Sequence, residues 1–310
     1  MSRESQNREV LGIAVFGSFA KGKLHENSDI DVLLLKDGGI YLREIGEVDG
    51  LKLEVYRAPI EIFMPPFCGG GGRILFDMFR LQALRTGEIF YDPKRLLGQL
   101  RIDAYNSRIP LSYVKEMLNK AHTEINRAED FLQRGRFQLA EDELFGASIN
   151  VARALLLNEN VPEINTPRLF LPHLRVKNPV FYNVFREIHE LHGLDRSDVE
   201  DSLANLLGML EMASGKLKEH WVSDLIEKAK TEALSAKDCL KNGDYESAML
   251  QIRFSESILS HPSVKGLLKY MGFKNLKEAH LKNSSINENL EILKRIIRII
   301  NNEGAVKSAL

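Results

Sequence analysis

The 310-residue sequence has only two cysteines, one tryptophan and almost no excess of charge of either sign. Cys68 and Cys239 lie far apart and show no metal-ligand spacing, which gives no disulfide framework and suits a reducing compartment. No apolar run reaches the length of a membrane span, and the N-terminal stretch MSRESQNREV is polar. We therefore predict a cytoplasmic protein that does not insert into a membrane.

The net charge of -1 argues against a large electropositive surface, so long nucleic acid is not an expected partner. A local basic patch or a small anionic ligand is still compatible with this balance. The hydrophobic fraction of 44% and the length of 310 residues predict two or three domains, each with a core of its own.

Up to about Pro66, short β-rich runs alternate with turns. The predicted strands are Leu11 to Phe16, Asp29 to Leu35 and Leu51 to Arg57. Turns are expected at residues 36–39 and 49–50, which contain glycine. Residues 68–73, CGGGGR, lack the Gly-Lys-Ser/Thr ending of a P-loop, so we interpret them as a flexible loop before a helix from Ile74 to Arg85.

From about Leu111 onward the apolar residues recur at helical spacing, and one pattern occurs twice. Lys120 to Ala140 aligns without gaps on Lys228 to Ala248, with nine of 21 positions identical. Each copy is predicted to form a helix, a tight turn at Gly135 or Gly243, and a second helix returning antiparallel. The shared turn favours duplication over convergence of two amphipathic helices.

Prolines at positions 162, 167, 172 and 179 are predicted to break the helical pattern between the two copies. Further helices are predicted at Val180 to Leu191, Ser197 to Lys216 and Asn287 to Ile300. The last has apolar residues on more than one stripe, which indicates either a packed core helix or a contact in a homo-oligomer. The predicted domains are residues 1–108, 109–219 and 220–310.

The segment that carries most chemical information is GSFAKGKLHENSDIDVLLL, which begins where the first predicted strand ends. Gly17 allows the backbone to approach an anion, and Ser18 and Lys21 can add a hydroxyl and a positive charge. Asp29 and Asp31 alternate onto one face at the start of the second strand, where carboxylate oxygens can share hard cations.

A purely structural role for these aspartates, as a polar turn and strand cap, is the less favoured interpretation. Ile30 and the residues from Val32 to Leu35 indicate a strand that is largely buried on both faces. Two carboxylates at the start of such a strand are energetically costly unless cations or hydrogen-bond donors interact with them.

This segment resembles the nucleotidyltransferase superfamily that includes polymerase β, and especially its minimal members. The family pattern is Gly-Ser, a short helix and Asp-x-Asp on the next strand, matched here by Gly17, Ser18, Asp29 and Asp31. Lys21-Gly22 stands where Arg-Gly is common. The resemblance covers about residues 10 to 100 and implies an α+β fold, with a small mixed sheet and flanking helices followed by all-α bundles.

The resemblance also implies a third carboxylate on a neighbouring strand, for which Glu54 is the candidate. The family more often has Asp at this place, and the alternative is an exposed Glu54 paired with Lys52. The implied reaction moves a nucleoside monophosphate, AMP from ATP by family habit, to a hydroxyl of a small molecule or protein. Two Mg²⁺ ions would be held by Asp29, Asp31 and Glu54. Gly17, Ser18, Lys21 and Gly22 would bind the triphosphate.

The two helical copies resemble HEPN domains, helical bundles that often accompany minimal nucleotidyltransferases. Two alternatives to transfer therefore stay open: a nucleotide-binding regulator of the antitoxin type, and a HEPN-type ribonuclease. The ribonuclease hypothesis rests on Arg186 and His192 in FREIHELHG. His189 and His192 are otherwise interpreted as solvated or capping residues.

Overall fold

The computed structural model describes residues 9–20, 22, 29–68, 73–216, 222–259 and 283–307. The chain divides into two compact units, Met1–Pro110 and Leu111–Leu310. The first contains a small mixed sheet and the second contains helices, so the predicted α+β fold is confirmed. The further division of the helical half at residues 219 and 220 stays a prediction. None of the helices within the described ranges has the length and hydropathy needed to cross a bilayer.

The described strands of the first unit form one five-stranded sheet in the order β3-β4-β2-β1-β5. They are β1 (Val10–Phe16), β2 (Ile30–Lys36), β3 (Leu42–Val48), β4 (Leu51–Pro59) and β5 (Glu88–Tyr91). β2 and β4 are parallel, and the other neighbouring strands are antiparallel. Ile30, Val32 and Leu34 pack into an apolar cluster on one face of β2, while the alternate residues Leu33 and Leu35 are fully buried.

The sequence pattern did not predict β3 and β5. β3, LREIGEV, is the edge strand, and each of its residues is exposed. Its apolar residues are Leu42, Ile45 and Val48, and they do not occur at every second position. A half-buried strand requires that alternation, so the pattern does not predict a strand here. The strand instead depends on the turn that follows, where Asp49 and Gly50 have positive φ values of 53° and 78°. Such a turn folds β3 back along β4.

The described residues of the first unit form four helices. They are α1 (Gly17–Ala20), α2 (Ile60–Phe63), α3 (Ile74–Thr86) and α4 (Leu96–Asn106). The predicted helix from Ile74 to Arg85 is confirmed as α3. The Phe79 ring of α3 packs on the rings of Phe16 and Tyr56, with centroid distances of 5.4 and 4.9 Å. The glycines at 69–72 lie outside the described residues.

The helical unit contains the following described helices: α5 (Leu111–Gln133), α6 (Phe137–Asn158), α7 (Pro167–Lys177), α8 (Pro179–Ile188), α9 (Arg196–Lys216), α10 (Ser223–Lys241), α11 (Tyr245–Leu259) and α12 (Asn283–Lys307). The predicted helix at 287–300 is longer than expected. α12 packs on α5 and α6 through buried residues that include Leu290 and Leu293. These contacts favour the core-helix interpretation, and a contact between copies stays a prediction.

Two helical hairpins, α5–α6 and α10–α11, have the same turn. Gly135 and Gly243 have φ values of 68° and 73°, in the left-handed region. Each turn makes two equivalent backbone hydrogen bonds, from Gly135 to Leu132 and Arg136 to Phe131, and from Gly243 to Leu240 and Asp244 to Cys239. This is the Schellman pattern of a helix C-terminus. The predicted helix–turn–helix form of both copies is therefore confirmed.

Gly135→Ala and Gly243→Ala are each expected to lower the free energy of unfolding by about 1 kcal/mol, because alanine is strained at positive φ. A Cβ meets nothing within 4 Å at either position, so the two losses should be similar. Gly208→Ala, within α9 and equally uncrowded, is the control and should instead stabilise the chain. Urea unfolding of the full chain measures all three, and a neutral Gly243→Ala would contradict the equivalence of the turns.

The prediction for the prolines is partly wrong. Pro167 and Pro179 begin α7 and α8, as the first turn of a helix permits. Pro172, however, lies inside α7. The helix continues through Pro172 because Phe170, Leu171 and Leu174 are fully buried, and this burial outweighs the one backbone hydrogen bond that proline cannot donate.

Candidate functional site

Two of the three predicted carboxylates are neighbours in the strand register. Asp31 lies opposite Glu54 in the parallel register of β2 and β4, and opposite Phe16 at the end of β1. Asp29 precedes β2 by one residue, so alternation places it on the same face as Asp31. Both aspartates act electrostatically on Tyr56, which is two residues after Glu54 and shares its face. The structure thus pairs Asp31 with Glu54, and strand alternation directs Asp29 toward the same face.

Gly17 lies directly against Asp31. A Cβ at Gly17 would stand 2.0 Å from Oδ2 of Asp31, and the φ of Gly17 is +75°. Glycine is therefore required here for both space and backbone conformation. Ser18 follows in α1, which packs against β2. The segment predicted to hold phosphates consequently begins beside the carboxylates.

The rest of the predicted phosphate-binding segment is only partly described. Gly22 donates its backbone N–H to the carbonyl of Phe19 at 2.9 Å and has a φ of +65°, which closes a turn after α1. Lys21 lies outside the described residues, so its predicted contact with a phosphate stays a prediction.

Glu54 is buried, with only 5% of its surface exposed. Its Oε1 accepts hydrogen bonds from the guanidinium of Arg43 and the hydroxyl of Tyr56. The interpretation of Glu54 as an exposed residue paired with Lys52 is therefore wrong. Lys52 lies nearer the hairpin turn, opposite Glu47, whereas Arg43 extends from the edge strand to the buried carboxylate.

Tyr56 and Tyr41 form the aromatic surroundings of this ion pair. Burial raises the pKa of Tyr56 well above its ordinary value, and the negative charge of Asp31 raises it further. The phenol therefore stays protonated and donates to Glu54. Burial likewise raises the pKa of Tyr41, while the positive charge of Arg43 opposes this shift. Arg43 and Tyr41 are site residues that the sequence pattern did not predict.

A divalent cation such as Mg²⁺ requires oxygen ligands that face one point. Asp29 and Asp31 fit such an ion, since two carboxylates on one face supply oxygen ligands beside the backbone of Gly17. Glu54 is less suited to such an ion in the present arrangement, because the guanidinium bonded to its Oε1 already balances its negative charge. Consistently, no group of three or more acidic, histidine or cysteine side chains in the described residues is arranged to hold a metal ion.

Comparisons with known proteins bear on the first unit. Residues 2–65 match the family model of the nucleotidyltransferase domain. No curated protein matches the chain. Among solved structures, it is similar to a nucleotidyltransferase-like protein from Exiguobacterium sibiricum 255-15, at 12% identity and a TM-score of 0.42, over 98% of this chain and 89% of that one. The family match assigns a nucleotidyltransferase domain to residues 2–65, and it extends no further along the chain.

Proposed function

We propose that the first unit transfers a nucleoside monophosphate from a nucleoside triphosphate, with ATP as the expected donor, to a hydroxyl of a small molecule or protein. The observation that carries this proposal is the contact of Gly17 with Asp31, where β1 ends and β2 begins. This contact supports a phosphate-binding role for the segment that contains Ser18, and a metal-binding role for Asp31 together with Asp29.

In this proposal Asp29 and Asp31 hold Mg²⁺ against the triphosphate. When bound, the metal supplies positive charge to the phosphoryl oxygens and to the departing pyrophosphate. Ser18, Lys21 and the backbone at Gly17 hold the β- and γ-phosphates. An acceptor oxygen forms a bond to the α-phosphorus, the bond from that phosphorus to the bridging oxygen breaks, and pyrophosphate leaves.

Glu54 is the proposed acceptor of the hydroxyl proton, and also the proposed ligand of a second Mg²⁺. Both roles require a free carboxylate oxygen that faces the reactants. In the present arrangement Oε1 of Glu54 is bonded to Arg43 and Tyr56. The use of Oε1 in either role therefore requires Arg43 to leave Glu54 first, and a second ion at Glu54 would also meet the positive charge of the guanidinium.

The Arg43–Glu54 pair also favours a second candidate function, which is nucleotide binding without turnover. If Arg43 never leaves Glu54, the domain keeps a phosphate-binding segment and two carboxylates. Its third carboxylate, Glu54, is then not available to the acceptor hydroxyl. Such a chain would act as a regulator of the antitoxin type. The antitoxin-like role and the HEPN resemblance of the helical unit both stay predictions.

The ribonuclease hypothesis, which rests on Arg186 and His192, stays a prediction. Nε of Arg186 lies 2.6 Å from a carboxylate oxygen of Glu246. His189 is 1% exposed and lies between the rings of Phe145 and Phe185, so the interpretation of His189 as solvated is wrong. His189 does cap the C-terminus of α8, and the aromatic neighbours explain its burial.

The test uses the full chain with ATP, Mg²⁺ and a panel of hydroxyl-bearing acceptors. Release of pyrophosphate that depends on both Mg²⁺ and an acceptor supports the transferase. Saturable ATP binding without release across the panel supports the binding protein. RNA cleavage that is lost in His192→Ala supports the ribonuclease and rejects both nucleotide functions as the principal activity.

A further inference from the structure

The ion pair between Arg43 and Glu54 joins a buried partner to an exposed one. The side chain of Glu54 is 7% exposed, whereas that of Arg43 is 55% exposed. Glu54 lies on β4, between β2 and β3, while Arg43 lies on the edge strand. The long arginine side chain can therefore rotate into solvent, and the glutamate has little freedom to follow.

The strand register determines where this positive charge lies. In the β3–β4 pair, Arg43 is opposite Tyr56 and Ile45 is opposite Glu54. The guanidinium therefore reaches diagonally across the hairpin to the carboxylate of Glu54. Glu54 is in turn opposite Asp31 on the other side of β4. A cation on Glu54 is consequently one strand away from the aspartates.

We propose that Arg43 is the resident cation of Glu54, and that the nucleotide-free site binds a single divalent ion through Asp29 and Asp31. A second ion at Glu54 would have to replace the guanidinium, because like charges at contact distance repel strongly in a partly buried site. Loading of Glu54 thus requires Arg43 to leave. This inference rests on the assignment of Asp29 and Asp31 as metal ligands in the proposed function.

The same strand pair provides a matched control on its opposite face. Arg57 on β4 forms an ion pair with Glu44 on β3 at 2.6 Å, again diagonally across the hairpin. Alternation along the strand places this pair on the face away from Asp31. Removal of Arg57 therefore removes a cross-strand arginine without changing the charge next to the carboxylates.

The test is a titration of the nucleotide-free full chain with Mn²⁺. The electron paramagnetic resonance signal of the free ion measures how much Mn²⁺ is unbound at each step. Wild type is expected to bind one Mn²⁺. Arg43→Ala should bind Mn²⁺ about ten-fold more tightly, because Glu54 loses its cation and adds its negative charge to the site. Arg43→Lys keeps the charge and should stay within about two-fold of wild type. Arg57→Ala should also bind like wild type.

The double variant Arg43→Ala/Glu54→Gln gives the sharpest result, since it removes the ion pair without leaving a buried charge. It should bind Mn²⁺ within about two-fold of wild type. A large loss in the double variant would mean that Glu54 is already a ligand, which overturns the proposal. Two ions in wild type, no gain in Arg43→Ala, or no Mn²⁺ binding by wild type would overturn it as well.

These outcomes are distinct from failure of the proposed function. Pyrophosphate release can be absent while the Mn²⁺ series behaves as expected, which would reject turnover and retain Arg43 as the cation of Glu54. Thermal unfolding and near-ultraviolet circular dichroism of each variant establish that the fold is kept. If Arg43→Ala alone is unfolded, a large loss of Mn²⁺ binding in the double variant would still overturn the proposal.

Discussion

Asp31→Asn is expected to lower Mg²⁺-dependent pyrophosphate release by about a thousand-fold, while the thermal unfolding midpoint stays within a few degrees of wild type. Asparagine keeps the size of the side chain beside Gly17 but loses the charge that a divalent ion requires. The measurement is the initial rate of pyrophosphate release at saturating ATP and Mg²⁺.

Asp37→Asn is the matched control. Asp37 follows the opposite end of β2 and is exposed, so its variant loses the same charge far from Glu54 and Gly17. It should keep wild-type activity and stability. Unchanged release in Asp31→Asn would reject the carboxylate site. Equal losses in both variants would indicate an effect of net charge and not of position.

The sequence predicted those strands whose burial leaves a clear pattern. β2 has apolar residues on both faces, and β4 begins with the alternating residues Leu51 and Leu53. β3 shows no such pattern because each of its residues is exposed to solvent. The turn at Asp49 and Gly50 is evident in the sequence, and the strand before it can be counted back from that turn. Such counting pairs Arg43 with Tyr56 and would have placed an arginine beside Glu54.

The candidate site was predictable to the extent that neighbours in sequence determine it. Gly17 directly follows β1 and Asp31 lies on β2, the next strand along the chain, so a local motif predicts their contact. The partner of Glu54 depends on which strand forms the sheet edge, and this is a property of the tertiary fold. Tertiary packing also explains why the helix continues through Pro172. Burial of Phe170 and Leu171 outweighs the local tendency of proline to break a helix.

Gly17→Ala is expected to reduce pyrophosphate release by about a hundred-fold or more, because a site displaced by an ångström loses catalytic geometry. Its Cβ would overlap Oδ2 of Asp31 at 2.0 Å, so either the carboxylate or the backbone of the turn must move. The positive φ adds a strain of about 1 kcal/mol to the folded state. Steady-state release of pyrophosphate and urea unfolding of the same preparation measure the two effects separately.

Gly38→Ala separates strain from overlap. Gly38 has the same φ of +75° as Gly17, but a Cβ there meets nothing within 4 Å. This control should lose about 1 kcal/mol of stability and keep its activity, because alanine is strained equally in both turns. If Gly17→Ala loses no more activity than Gly38→Ala, then the contact of Gly17 with Asp31 is not part of the site. A loss confined to Gly17→Ala means that activity requires close approach of this backbone to the carboxylate.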